Sequence, residues 1–84
     1  MDPVNQNARN LGMLLRGRLP NGVLDEVDDL FEHNEAKIAI ENLLSNLSEY
    51  GVFVTHSEFN ILMRAVELHA VDRKWCIGVH VKSE

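Results

Sequence analysis

The sequence contains one cysteine, Cys76, and two prolines among its 84 residues. A single cysteine cannot form a disulfide within the chain, so nothing points to an oxidising compartment. No apolar run approaches the roughly 18 residues that a membrane-spanning helix needs, and the opening "MDPVNQNAR" has neither the basic nor the apolar region of a secretory signal. We therefore expect a cytoplasmic protein that does not contact a membrane.

Basic residues are almost absent from the middle of the chain. Residues 21–49 contain eight acidic residues against Lys37 alone, a net charge of −7, whereas residues 1–20 carry +2 and the whole chain −5. A concentrated negative field repels phosphate groups and attracts cations. This distribution disfavours direct nucleic-acid binding and favours a basic protein partner.

Apolar residues recur at helical spacing in four segments, which are separated by turn signals. Asn34 and Gly51 suit the left-handed conformation that ends a helix. Thr55 followed by Glu58 predicts a capping box at a helix start. The predicted helices are about residues 4–18, 22–33, 35–50 and 56–71. The expected fold is all-α, a compact antiparallel bundle of about four helices in one domain that spans the chain.

The tail, residues 73–84, has a different pattern. Trp75, Ile77, Val79 and Val81 alternate with other residues, which is the period of a strand. No second strand is evident in the chain. Three interpretations stay open: a segment extended over the helices, which we favour, a short fifth helix, or a strand whose edge pairs with another chain.

Motifs for catalysis or metal binding are missing. His33, His56, His69 and His80 lack the close pairing of zinc sites, and Cys76 with His80 supplies two ligands without a third. There is no Gly-rich phosphate loop and no nucleophile elbow. Carboxylates opposite an apolar stripe stay in water, where their pKa values are ordinary and unsuited to general acid catalysis. We expect no enzyme activity, no metal and no cofactor.

The second and third predicted helices each place acidic residues opposite an apolar stripe. Such a face is usually only solvated. Two features favour binding instead: bases are nearly absent, and Ile38 falls on the acidic side, like an interface anchor within a polar rim. The competing interpretation is that Ile38 packs under the tail or the first helix. The candidate binding surface consists of Asp25, Asp28, Asp29, Glu32, Glu35, Ile38, Glu41 and Glu49.

Short motifs in this region resemble a known family. They are Asn34-Glu35, "AIENL" at 39–43, "LSEY" at 47–50, and an apolar turn that ends in Thr55 before a helix. Together they resemble the MafI-type immunity proteins, which are small, all-helical and encoded beside polymorphic and contact-dependent inhibition toxins. The resemblance covers roughly residues 19–68. Asn34 stands where the family often has glycine, and the tail matches no part of the family.

The resemblance implies that the chain binds the toxic C-terminal domain of a cognate effector in the cytoplasm and blocks it. Such toxins are often RNases, EndoU-like ones among them, and an RNase is basic because it holds phosphates. An acidic helical face fits such a partner. The alternative is a helical adaptor or regulatory subunit unrelated to toxins, one form of which is a homodimer joined through the C-terminal strand.

Overall fold

The computed structural model describes residues 2–83, which form four α-helices, one turn of 3₁₀ helix and two short strands. In chain order these are α1 (Pro3–Leu14), α2 (Asn21–Glu32), α3 (Ala36–Glu49), β1 (Phe53–Thr55), α4 (His56–Leu68), the 3₁₀ turn (Arg73–Cys76) and β2 (His80–Lys82). The predicted mainly helical fold with four helices is confirmed. The expectation of a purely α fold was wrong, because β1 and β2 form a small parallel sheet. Within the described range no helix has the length and apolarity needed to cross a bilayer.

Two helices end where the sequence predicts. Asn34 after α2 has φ 60° and Gly51 after α3 has φ 62°, both in the left-handed region. Beyond Gly51, the N–H of Val52 donates to the carbonyl oxygen of Leu47 at 3.0 Å, which satisfies one of the last carbonyls of α3. These stops were predictable because they depend on local residues alone.

The first helix is shorter than predicted and ends at Leu14. Gly17 adopts φ 90°, which takes the chain out of the helix. The N–H groups of Arg18 and Leu19 then donate to the carbonyl of Leu15 at 2.9 and 3.0 Å. The resulting turn buries Leu15 and Leu19 in the core, and this burial favours the turn over further helix.

The start of α4 has the predicted capping box. Thr55 Oγ1 accepts from the Glu58 N–H at 3.2 Å, and Glu58 Oε1 accepts from the Thr55 N–H at 2.8 Å. Arg18 donates to both carboxylate oxygens of Glu58, at 3.0 and 2.7 Å, and to the Phe53 carbonyl at 3.2 Å. The arginine holds the pKa of Glu58 below its ordinary value. Arg18 thereby links the turn after α1 to β1 and α4 through hydrogen bonds.

The last helix ends at Leu68, three residues earlier than predicted, and Ala70 beyond it carries φ 49°. The N–H of Val71 donates to the Val66 carbonyl at 2.9 Å, the same closure that Gly51 makes after α3. A Cβ atom is unfavourable in this conformation. We predict that Ala70→Gly raises the free energy of unfolding by about 1 kcal/mol, measured by urea denaturation. Gly51→Ala is the reciprocal control and should lower it; a loss of stability in Ala70→Gly contradicts this reasoning.

The tail pairs within the chain. β2 lies parallel to β1 with His80 opposite Phe53 and Val81 opposite Val54. The sequence gives no evidence of a second strand, but β1 supplies one. β1 is only three residues long and directly precedes α4, so its sequence pattern resembles a turn. The first part of the tail is the 3₁₀ turn, and only its end is extended.

The core is built mainly on α3, which contacts the other three helices and the 3₁₀ turn. Its buried residues are Ala39, Ile40, Leu43, Leu44 and Leu47. They form one stripe of the helix, and the predicted acidic side of α3 lies opposite it. Burial of this stripe therefore fixes which side chains α3 presents outward.

Candidate functional site

Two acidic residues of α2, Asp28 and Glu32, are paired with Arg9 of α1. Arg9 Nε donates to Asp28 Oδ1 at 2.6 Å, and Arg9 Nη2 lies 3.1 Å from Asp28 Oδ2 and 2.7 Å from Glu32 Oε2. The hydrogen bonds from Arg9 hold the pKa of Asp28 below its ordinary value, the opposite of the shift that a general acid needs. These two carboxylates have few basic neighbours in the sequence, but in the folded chain Arg9 lies against both of them.

The other two predicted α2 residues also have partners in the chain. Arg16, in the turn after α1, lies 2.8 Å from Asp25. His33 Nδ1 donates to the backbone carbonyl of Asp29 at 2.8 Å and lies 3.4 Å from its carboxylate. The backbone hydrogen bond to Asp29 raises the pKa of His33. Most of the negative charge of α2 is thus paired with basic side chains of the same chain.

These pairs predict a dependence of stability on pH. Arginine partners lower the pKa values of Asp28 and Glu58, whose ordinary values are 3.8 and 4.5. A carboxylate with a lowered pKa stabilises the fold above its ordinary pKa, and the contribution is lost as the pH falls through the lowered value. Because 44 % of the Asp28 side chain is exposed, we expect Asp28→Asn to cost about 1 kcal/mol at neutral pH.

The measurement is the urea midpoint at neutral pH and at about pH 3. Asp28→Asn should lose less stability on acidification than the parent chain. Glu26→Gln is the matched control, since Glu26 is exposed and makes no ion pair within residues 2–83. Equal acid sensitivity of Asp28→Asn and the parent would show that the Arg9 pair does not stabilise the fold.

The acidic residues of α3 differ from those of α2. Glu35, Glu41 and Glu49 make no ion pair with any residue of the described chain. Ile38 falls on the same side of α3 as Glu41 and Glu49 by helical periodicity and is 48 % exposed. Neither α1 nor the tail buries it, so the predicted anchor keeps about half of its surface in water. Of the predicted surface, Ile38, Glu41 and Glu49 lie on α3, and Glu35 immediately precedes it.

Ile38 lines two clefts. The first cleft, about 820 Å³, lies between α1, the α2–α3 turn and the end of α4. The second cleft, about 330 Å³, lies between α3 and the 3₁₀ turn. The second cleft is lined by Ile38, Glu41, Asn42, Ser45, Asn46 and Trp75. Ile38 is therefore the side chain that the two clefts share.

The first cleft carries charges of both signs. Glu32 and Glu35 face it together with Arg9 and Lys37. His69, at its edge, places Nε2 2.6 Å from Asn5 Oδ1 and so ties the end of α4 to α1. Mixed charges give this larger cleft little preference for a ligand of either sign.

The tail covers part of the polar side of α3. Trp75 is half-buried and borders Asn42 and Asn46 in the second cleft. Gly78 passes so close to α3 that a Cβ added there would lie 1.9 Å from Ser48 Oγ. Small residues on this side of α3 leave room for the tail. Sequence reasoning missed Trp75 as a site residue, because nothing in the sequence specifies where the tail lies.

The described residues include no group of three or more histidines, cysteines and acids placed to hold a metal ion. Cys76 is half-buried, and its thiol donates to Met63 Sδ at 3.7 Å. Burial raises the pKa of this thiol, which disfavours the reactive thiolate. Cys76 therefore serves packing between the tail and α4.

The chain matches no protein-family model, no curated protein and no solved structure.

Proposed function

We propose that the chain is a small immunity protein that binds a cationic toxin domain through the outer side of α3. The observation that carries the proposal is the position of Ile38. It is an aliphatic side chain, 48 % exposed, three residues after Glu35 and on the same side of α3 as Glu41 and Glu49 by helical periodicity. None of these three carboxylates has an ion pair within residues 2–83. A partly exposed apolar anchor within an acidic rim is the arrangement expected for docking against a basic protein.

The free carboxylates of α3 are better suited to this role than the paired ones of α2. A partner cation that approaches Asp28 or Glu32 has to compete with Arg9, which already lies 2.6 and 2.7 Å from them. Glu35, Glu41 and Glu49 make no ion pair in the described chain, and only Glu35 shares a cleft lining with cations, so these carboxylates are more available to an approaching cation. The proposed surface is therefore centred on α3, and the α2 acids contribute a weaker, more distant field.

A nuclease is the partner class that this surface fits. An RNase domain presents cationic side chains to hold phosphates. The family resemblance of residues 19–68 implies a toxin of this kind, such as an EndoU-like RNase. Binding at the substrate groove or beside it blocks RNA by occupying the same cationic groups. In this role the chain makes and breaks no covalent bond.

Co-expression tests the proposal. The toxin domain encoded directly upstream of the gene is produced in a sensitive cell with and without the chain, and growth is recorded. Rescue of growth, together with a stable complex between the chain and a catalytically inactive toxin, supports the proposal. Absence of both rescue and complex formation, with the chain expressed and folded, contradicts it.

A homodimeric adaptor is the alternative, and the sheet supplies its supporting observation. Phe53 of β1 is 56 % exposed, with the His80 ring centroid at 5.7 Å and Lys82 Nζ at 6.0 Å. An exposed aromatic on a short sheet is a plausible contact between copies. Sedimentation equilibrium distinguishes the two: a dimer that Phe53→Ser dissociates favours the adaptor, and a monomer favours the immunity protein.

A further inference from the structure

The second cleft is lined on its polar side by hydrogen-bond acceptors that no group in the described chain uses. Asn46 Nδ2 donates to the Asn42 backbone carbonyl at 2.8 Å and to Asn42 Oδ1 at 2.7 Å. Both amide hydrogens of Asn46 are thus engaged, and its Oδ1 stays available. Glu41 adds two carboxylate oxygens without an ion pair in residues 2–83. These acceptors match a ligand with several donors, and the amide group of Asn42 and the hydroxyl of Ser45 add donors to the same lining.

The remaining walls are apolar. Ile38 bounds the cleft on one side, and Trp75 bounds it from the 3₁₀ turn. Lys74 Nζ lies 5.6 Å from the centroid of the indole, so a guanidinium that stacks on this ring has to displace the lysine or use the other face. A tryptophan face attracts cations through its quadrupole and also stacks with a planar group. The ligand should therefore carry positive charge together with an apolar stem or a flat surface.

We infer that the second cleft is a receptor for one arginine side chain, with Glu41 and Asn46 accepting from the guanidinium and Ile38 and Trp75 contacting its stem and plane. The guanidinium is planar, always charged, and has five donors in a fixed fork, which matches adjacent acceptors beside an indole. Lysine carries a compact charge and matches the flat wall less well. That the arginine belongs to a toxin domain rests on the proposed function; that the cleft accepts arginine does not.

The volume of the cleft is compatible with this ligand. About 330 Å³ exceeds the space that one arginine side chain occupies and is at the lower end of small-molecule sites. The first cleft is larger and has charges of both signs in its lining, Asp2, Glu32 and Glu35 against Arg9 and Lys37. Among the described residues that line the second cleft, Glu41 is the one with a charge, so this lining contains no cation that repels a guanidinium.

Trp75 provides a direct readout because it is the single tryptophan of the chain. The probe is the blocked tripeptide acetyl-Gly-Arg-Gly-amide, titrated against the full chain while indole fluorescence is followed. The comparison peptides have citrulline, the neutral isostere, or lysine in place of arginine. We expect a saturable change with arginine, a weaker one with lysine and none with citrulline.

Glu41→Gln should weaken arginine-peptide binding by about tenfold, because a charge-assisted hydrogen bond becomes a neutral one. Glu26→Gln removes the same charge at an exposed position outside the cleft and should leave binding unchanged. Identical responses to arginine and citrulline, or equal affinity of Glu41→Gln and the parent, overturn the inference. The thermal midpoint of each variant shows whether it is folded.

The peptide titration also separates this inference from the proposed function. Arginine binding in a chain that rescues no toxin leaves the receptor intact and removes the immunity role. If the chain binds its toxin with an affinity independent of Glu41 and does not bind the arginine peptide, the immunity role is supported and the arginine receptor is contradicted.

Discussion

Ile38→Asp is expected to weaken binding of the toxin domain by about 100-fold, because a central apolar anchor contributes most of the energy of such an interface and an aspartate buried there would be desolvated. The substitution adds a negative charge to a surface that already attracts cations. An interface held by charge alone would bind as well or better. The direction of the change therefore separates an apolar anchor from simple electrostatic attraction.

The free chain should tolerate the substitution. Ile38 is 48 % exposed and occupies the third position of α3, which begins at Ala36. An acidic residue in the first turn of a helix interacts favourably with the helix dipole. The thermal midpoint should be unchanged or slightly higher, and Ile38→Leu, the conservative control, should keep its binding. A large loss of stability in Ile38→Asp would place the residue in the core and remove its role as an anchor.

The second large effect is expected from the unpaired acids of α3. Replacing Glu35, Glu41 and Glu49 by glutamine should slow association with the toxin domain by about tenfold at low salt and reduce its dependence on ionic strength. Dissociation should change less, because charges around an interface act mainly on the encounter. Stopped-flow or surface-based kinetics at two salt concentrations measures both rates.

A matched triple on α2 isolates the effect of position. Asp25→Asn, Asp28→Asn and Glu32→Gln remove the same net charge, but these carboxylates are paired with Arg9 and Arg16. We expect this triple to lower the free energy of unfolding and to slow association less than the α3 triple does. Equal slowing by the two triples would mean that net charge, and not the α3 surface, controls association.

The elements that were predictable from the sequence depend on near neighbours. The stops at Asn34 and Gly51 and the capping box of Thr55 and Glu58 follow from residues a few positions apart. The parallel pairing of β1 with β2 was not predictable, because it joins residues 27 apart, Phe53 to His80, across a helix. Three-residue strands also carry too little alternation to be seen in a sequence.

The candidate site also has a part that was predictable from the sequence and a part that was not. Helical periodicity placed Ile38 on the acidic side of α3, and its exposure agrees with that placement. The pairing of Asp28 with Arg9 spans two helices, so a count of charges along the sequence shows an excess that the fold partly neutralises. Trp75 was not predictable as a site residue, because only the packing of the tail on α3 places it beside Ile38 and Glu41.

Hydroxyl-radical footprinting of the chain, free and bound to an inactive toxin domain, reports the solvent exposure of individual side chains and so shows whether Ile38 lies in the interface. We expect oxidation of Ile38 and Trp75 to fall strongly in the complex while exposed Leu14 and Phe53 react as before. Unchanged oxidation of Ile38, with protection elsewhere on the chain, would contradict binding through α3.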